Sequence, residues 1–216
     1  SYSWPLIISG FMVTLYMRID QIMLQNMINV KEAGIYATVA SFSEAWNFVP
    51  IVIASSLFPA ILNARRDDIS RYKKRLQHLY DLMVYLSVPV ALVVSFASPL
   101  IYRFFKPEYS LAAPVLSVHI WSGVFVFLGV ASTQYLITEN LTRFTFIRTG
   151  FGAIINIVLN LILIPKMGMM GAAIATLVAY ASSTFMVLVI PEVKAQGFMM
   201  LKSLFLISLF KKIIKR

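Results

Sequence analysis

The chain has 216 residues, 59% apolar and only 13% charged, with a net charge of +10 and a mean hydropathy of +0.80. Soluble domains run near ~45–50% apolar and ~25% charged, so a soluble enzyme of this length is excluded. The basic excess lies between apolar runs and not on a polar domain, which argues against nucleic acid, and the absence of cysteine removes disulfides and thiolate metal sites.

A bilayer-spanning helix needs about 20 apolar residues. Six stretches meet that need: 4–25, 34–62, 79–102, 112–137, 147–164 and 169–190. Backbone groups must be paired within hydrocarbon, so these spans are expected to be helices. The alternating pattern of a transmembrane barrel is missing. The first stretch carries Gly10, Thr14, Arg18, Gln21 and Gln25 at helical spacing, one polar stripe that should face other helices or a water-filled cavity. Asp20 lies about 200° round the helix from Arg18 and need not share its face.

The second stretch is roughly 43 Å long at ~1.5 Å per residue and must tilt, kink or protrude. It holds Glu44, at a depth similar to Arg18 on the preceding antiparallel helix, so the two are positioned to pair. Pro50, Pro59, Pro89 and Pro99 are expected to kink or terminate the second and third helices. Between these helices, NARRDDISRYKKRLQH (63–78) reads as an amphipathic or solvated connection able to touch anionic lipid heads. Asp81 and Arg148, at helix ends, are expected to snorkel.

In the fourth stretch His119 reads as a satisfied interior histidine. The fifth aligns Thr149, Gly152, Asn156 and Asn160 on one face, and the sixth spaces Gly171, Ala175, Ala179 and Ser183 by four. Small residues at this spacing let helices approach closely. The basic segment 191–216 is expected to form an interfacial amphipathic helix.

Lysine and arginine in the connections set orientation. One side holds Arg65, Arg66, Arg71, Lys73, Lys74, Arg75, Arg143, Arg148 and the six basic residues of the tail; the other holds Lys31, Arg103, Lys106 and Lys166. The first side is therefore expected to be cytoplasmic, with both ends of the chain there. The chain opens at Ser1 without a signal-peptide pattern and reads as a piece of a longer protein. No phosphate-binding loop, catalytic triad or metal cluster is present. The connections 26–33, 103–111 and 165–170 are short for a membrane glycosyltransferase. A non-enzyme without cofactor or metal is expected.

The strings LYMRIDQIML and AGIYATVASFSEAWNFVPIVIASSLFPAIL, with FKPEYSLAAPVL and INIVLNLILIPKMGMMGAAIATLVAY, resemble the later helices of bacterial polysaccharide flippases. Over about Pro5 to Ile190 the chain is similar to the multidrug/oligosaccharidyl-lipid/polysaccharide exporter superfamily, above all its O-antigen (Wzx-type) branch. The resemblance implies an all-α polytopic membrane fold: a six-helix C-terminal lobe, half of a twelve-helix MATE-like transporter. It implies alternating-access flipping of an undecaprenyl-diphosphate-linked oligosaccharide across the bacterial inner membrane, without nucleotide hydrolysis and with proton or sodium coupling. The implied partners are that lipid-linked oligosaccharide, membrane lipids, the N-terminal lobe and polysaccharide polymerase or assembly proteins. A peptidoglycan-precursor, capsule or drug exporter of the same superfamily is the alternative. Arg18 would contact the diphosphate or sugar, or hold a closed state through Glu44. Asp20 and Glu44 would couple the ion. Gln21, Gln25, Asn47, Asn156 and Asn160 would meet sugar hydroxyls. This lobe sets one deep arginine against two deep acids, so the other lobe must supply cations, or Arg143 and Arg148 receive the diphosphate.

Overall fold

The computed structural model describes residue 7 and residues 18–205. The described part is all helical. Helix α1 covers 18–27, followed by α2 (Val30–Glu44), α3 (Phe48–Asp67), α4 (Ile69–Arg103), α5 (Ala112–His119), α6 (Ser122–Thr138), α7 (Arg143–Met167), α8 (Met169–Phe185) and α9 (Lys194–Leu204). Five stretches are long and apolar enough to cross a membrane: Val30–Asp67, Ile69–Arg103, Pro107–Thr138, Arg143–Met167 and Met169–Leu188. Most of the expected first span, including Gly10 and Thr14, lies outside the described residues, as does the tail beyond Phe205. Side chains such as Val93, Phe96, Ile154, Leu161 and Ile162 are exposed, the face a multi-pass membrane protein turns to lipid.

The second expected span is two helices. It breaks at residues 45–47, where the Val49 amide bonds the Trp46 carbonyl at 3.0 Å. Pro50 causes the break: it has no N–H, and its ring crowds the carbonyl four residues back, that of Trp46. In the first turn of α3 it does no harm. Pro59, Pro89 and Pro99 do not end their helices. At Pro99 the reason is visible. The carbonyl it frees, Ser95, accepts from the Ser98 and Ser117 hydroxyls at 3.0 and 3.1 Å. Side-chain donors replace the lost amide.

The 63–78 run is amphipathic but is helix almost throughout and not a separate connection. Only Asp68 separates α3 from α4, and its side chain caps α4 by accepting from the Ser70 amide at 2.7 Å. The basic run is the amphipathic start of α4, with Tyr72 and Leu76 buried and Lys73 and Lys74 exposed. The fourth span likewise breaks, at Ile120–Trp121, beside the Ser122–Gly123 pair.

Helices α7 and α8 form a tight hairpin, and glycine makes it possible. A Cβ on Gly171 would lie 2.4 Å from the Leu163 carbonyl oxygen, and one on Gly152 2.7 Å from the Ser183 Cβ. Gly168 turns the chain with φ +55°, a backbone that L side chains avoid.

Two large apolar cores result, with a small third cluster of Ala91, Ile120 and Val124. One gathers residues of α3, α4, α6 and α9, including Tyr80, Met83, Leu128 and Met200. The other gathers α1, α2, α5 and α8 around Leu24, Tyr36, Leu116 and Ala172. Helix α9 departs from the interfacial expectation. It docks on α4 through buried polar bonds: Ser203 Oγ donates to Asp81 Oδ1 at 2.6 Å, and the Tyr80 hydroxyl to Gln196 Oε1 at 3.0 Å. Asp81 is therefore buried as an acceptor for α9 and does not snorkel.

Candidate functional site

A buried polar centre lies where α1, α2, α7 and α8 meet. Arg18 and Asp20 point opposite ways from α1, as the helical period requires: Arg18 is exposed and Asp20 is buried. Three helices donate to that carboxylate. Asn160 Nδ2 reaches Oδ1 at 2.5 Å, the Tyr36 hydroxyl reaches Oδ2 at 3.1 Å, and the Thr176 hydroxyl also bonds Oδ2. The amides of α7 link in turn, Asn160 Nδ2 to Asn156 Oδ1 at 3.1 Å and Asn156 Nδ2 to Thr176 Oγ1 at 3.5 Å. Asn156 and Asn160 are one turn apart, so both face the same point, and both are fully buried.

No lysine or arginine forms an ion pair with Asp20 among the described residues. The Asn160 Oδ1 is buried without a hydrogen-bond partner, and so is Gln21 Nε2. Three hydrogen-bond donors thus converge on one carboxylate that has no ion-pair partner among the described residues. No group of three histidine, cysteine or acidic residues suited to a metal occurs among the described residues. His119 packs its ring edge-on to Tyr36, 5.7 Å between centroids. Its Nδ1 is buried and unbonded, so the satisfied histidine expected from sequence is not found.

Of the expected site residues, Asp20, Asn156 and Asn160 come together. Tyr36 and Thr176 complete the cluster and were not anticipated. Thr176 interrupts the small-residue surface of α8, and that polar interruption was its one sequence signal. Glu44 is half-buried; Arg18 lies beyond ion-pair contact with it but near enough for its charge to act on the Glu44 carboxylate. The ion pairs among the described residues are Lys31–Glu108, Arg65–Glu139 and Arg143–Glu192. Gln21 is half-buried and Gln25 exposed. Asn47 sits in the break between α2 and α3 and lines a narrow cleft with Ser43, Trp46, Ser87 and Gly123.

The two candidate cytoplasmic arginines separate. Arg143 is exposed, 3.8 Å from Glu192 and over the Phe144 ring. Arg148 does not snorkel. It is 6% exposed and turns into the lobe, donating from Nη2 to the Gly129 carbonyl at 2.8 Å and to Thr133 Oγ1 at 2.7 Å. It straps α7 to α6. A cavity of about 370 Å³ between α3, α4, α6 and α9 is lined by Arg65, Tyr72 and Glu139 among others, but Arg65 is held there by both oxygens of Glu139, at 2.9 and 3.1 Å.

A family model described as polysaccharide biosynthesis protein matches residues 1–65, the segment carrying Asp20, Tyr36 and the break. The chain is 29% identical over 169 residues to the probable flippase AglR of Haloferax volcanii, covering 76% of this chain and 35% of that protein. It is 25% identical over 184 residues to an uncharacterised membrane protein of Methanocaldococcus jannaschii, covering 84% of this chain and 42% of the other. It therefore spans less than half the length of these relatives. Among solved structures, an outward-facing multidrug-resistance MATE family transporter of the MOP superfamily aligns at TM-score 0.70 and 20% identity, over 88% of this chain and 44% of that one. A MOP superfamily transporter from Pyrococcus furiosus aligns at 0.69 and 20% identity, with the same coverage. The fold is that of part of a MATE-type transporter.

Proposed function

We propose that this chain is one lobe of an ion-coupled flippase that moves a lipid-linked oligosaccharide across a membrane by alternating access, with the Asp20 cluster as its coupling site. The observation that carries the coupling role is a buried carboxylate bonded by three other helices and paired with no cation among the described residues. A charge at such depth is costly and usually functional. A proton or sodium ion on Asp20 neutralises it and holds α1, α2, α7 and α8 together. Its departure leaves a charge that favours opening to water. Repeat-built transporters work in this manner, with lobes rocking about a site near the midplane. The matched polysaccharide-biosynthesis family and the likeness to a probable flippase support the cargo class.

The narrower reading is an undecaprenyl-diphosphate-linked O-antigen unit flipped across a bacterial inner membrane, the chain ends being cytoplasmic and an N-terminal lobe completing the cavity. It rests on the sequence resemblance. Arg18 and Gln25, exposed on the side of α1 away from Asp20, are then offered to that second lobe and to the cargo. Arg143 serves the cytoplasmic mouth, and Arg148 keeps the structural part described above. The test is deletion of the full-length gene and complementation at native expression with wild type, Asp20→Asn and Arg18→Ala. Surface polysaccharide is expected to return with wild type alone. Full restoration by Asp20→Asn removes the coupling role, and failure to lose polysaccharide on deletion removes the flippase reading.

A further inference from the structure

The end of the lobe where α3 turns into α4 at Asp68 carries Arg65, Arg66, Arg71, Lys73, Lys74 and Arg75. Helix α4 has 35 residues, ~52 Å at ~1.5 Å per residue. That is about 20 Å more than the hydrocarbon core of a bilayer. The apolar part of α4 runs from Leu79 to Tyr102, so the basic turns before it are the overhang and stand among the lipid headgroups. Clustered lysine and arginine at that level attract anionic lipid.

The cavity of about 370 Å³ between α3, α4, α6 and α9 lies at this end. Its size falls in the ~300–1,000 Å³ range of small-molecule pockets. Its charged lining is Arg65, Lys73 and Glu139, one positive charge in excess. Arg65 is set in place by the fork to Glu139 and by the Tyr72 ring, 5.6 Å from its centroid. The fork engages two of the five guanidinium N–H groups and leaves three. Ala195, in the first turn of α9, lines the same cavity, and no side chain caps that helix. The first amides of a helix lack internal partners and favour an anion. Tyr72 is 4% exposed, and its hydroxyl meets no acceptor in hydrogen-bond geometry, although the Glu139 charge acts on it. The rest of the wall is apolar, with Ile69, Leu76 and Met199. One net positive charge beside an apolar wall, at headgroup level, matches a singly charged phosphodiester that carries acyl chains. We infer that this cavity holds the headgroup of an anionic membrane phospholipid. The phosphate lies against Arg65, Lys73 and the first amides of α9, and the chains leave along Ile69, Leu76 and Met199. The bound lipid ties α9 to α3 and α4, whatever cargo the lobe serves.

The test titrates delipidated full-length protein in detergent with short-chain phosphatidylglycerol and, separately, with phosphatidylcholine. Native mass spectrometry counts bound lipid, and the melting temperature is followed alongside. Wild type is expected to prefer phosphatidylglycerol and to melt higher with it. Lys73→Glu should weaken phosphatidylglycerol about tenfold, the equivalent of ~1.4 kcal/mol, and leave phosphatidylcholine unchanged. Lys74→Glu makes the same change in net charge at an exposed neighbour outside the cavity and should keep the wild-type affinity. Ala195→Phe fills the cavity from an exposed position. It should abolish the preference without lowering the melting temperature of the lipid-free protein. Equal binding of the two lipids by wild type overturns the inference. Equal weakening by Lys73→Glu and Lys74→Glu does so too, since it identifies diffuse surface attraction. A polyprenyl diphosphate that displaces phosphatidylglycerol at equal concentration, and loses that power in Lys73→Glu, makes the cavity a cargo site and overturns the phospholipid as its occupant.

Discussion

Asp20→Asn separates charge from shape in the buried cluster. Asparagine can present its carbonyl to Asn160 Nδ2 and its amide to the Thr176 and Tyr36 oxygens, both of which can accept. All three contacts survive. Removing a charge from this buried site recovers part of its desolvation cost, on the order of 3 kcal/mol for a buried ion. Turning three charge-assisted hydrogen bonds into neutral ones gives up about 1 kcal/mol each. The two effects nearly cancel. The variant should melt within a few degrees of wild type, since ~1 kcal/mol moves a domain of this size by about 2–4 °C. Asp20→Ala differs sharply: it orphans three buried donors at about 1–3 kcal/mol each and should lower stability by several kcal/mol.

Transport should show the opposite contrast. Full-length protein in proteoliposomes, given a proton or sodium gradient, should flip labelled lipid-linked oligosaccharide faster than without one. Asp20→Asn, although well folded, should respond to neither gradient. A folded Asp20→Asn protein that keeps the wild-type gradient response would refute the coupling argument. A strong loss of stability in Asp20→Asn would instead refute the energetic reasoning.

Gly171→Ala should strain the α7–α8 hairpin, because the new Cβ falls 2.4 Å from the Leu163 carbonyl; overpacking of this kind costs about 1–3 kcal/mol, read as a lower melting temperature. Ser203→Ala removes the donor to Asp81 and the acceptor of Gln77 Nε2 at 2.7 Å. It should weaken α9 docking by about 1–3 kcal/mol and speed proteolysis after α8. Lys31→Ala breaks a 2.9 Å ion pair whose side chains are 65% and 39% exposed; water screens such pairs, and thermal melting should not change.

The spans were legible because bilayer thickness fixes their length and because hydropathy needs no knowledge of partners. Helix breaks were less so. Pro50 ends a helix and Pro99 does not, and the difference lies in Ser98 and Ser117, which re-bond a freed carbonyl. Ser117 comes from another helix, so no local pattern announces it. The same limit explains the site. Asn156 and Asn160 share a helical face that spacing displays. Tyr36 and Thr176 join them only through tertiary packing. Arg148 looked like a mouth residue because its position in the chain is near a helix end, yet its long side chain follows the carbonyls of α6 inward. The docking of α9 on α4 is hidden in the sequence because its apolar and basic residues imitate an interfacial helix, while the groups that dock it, Gln196 and Ser203, are few and polar.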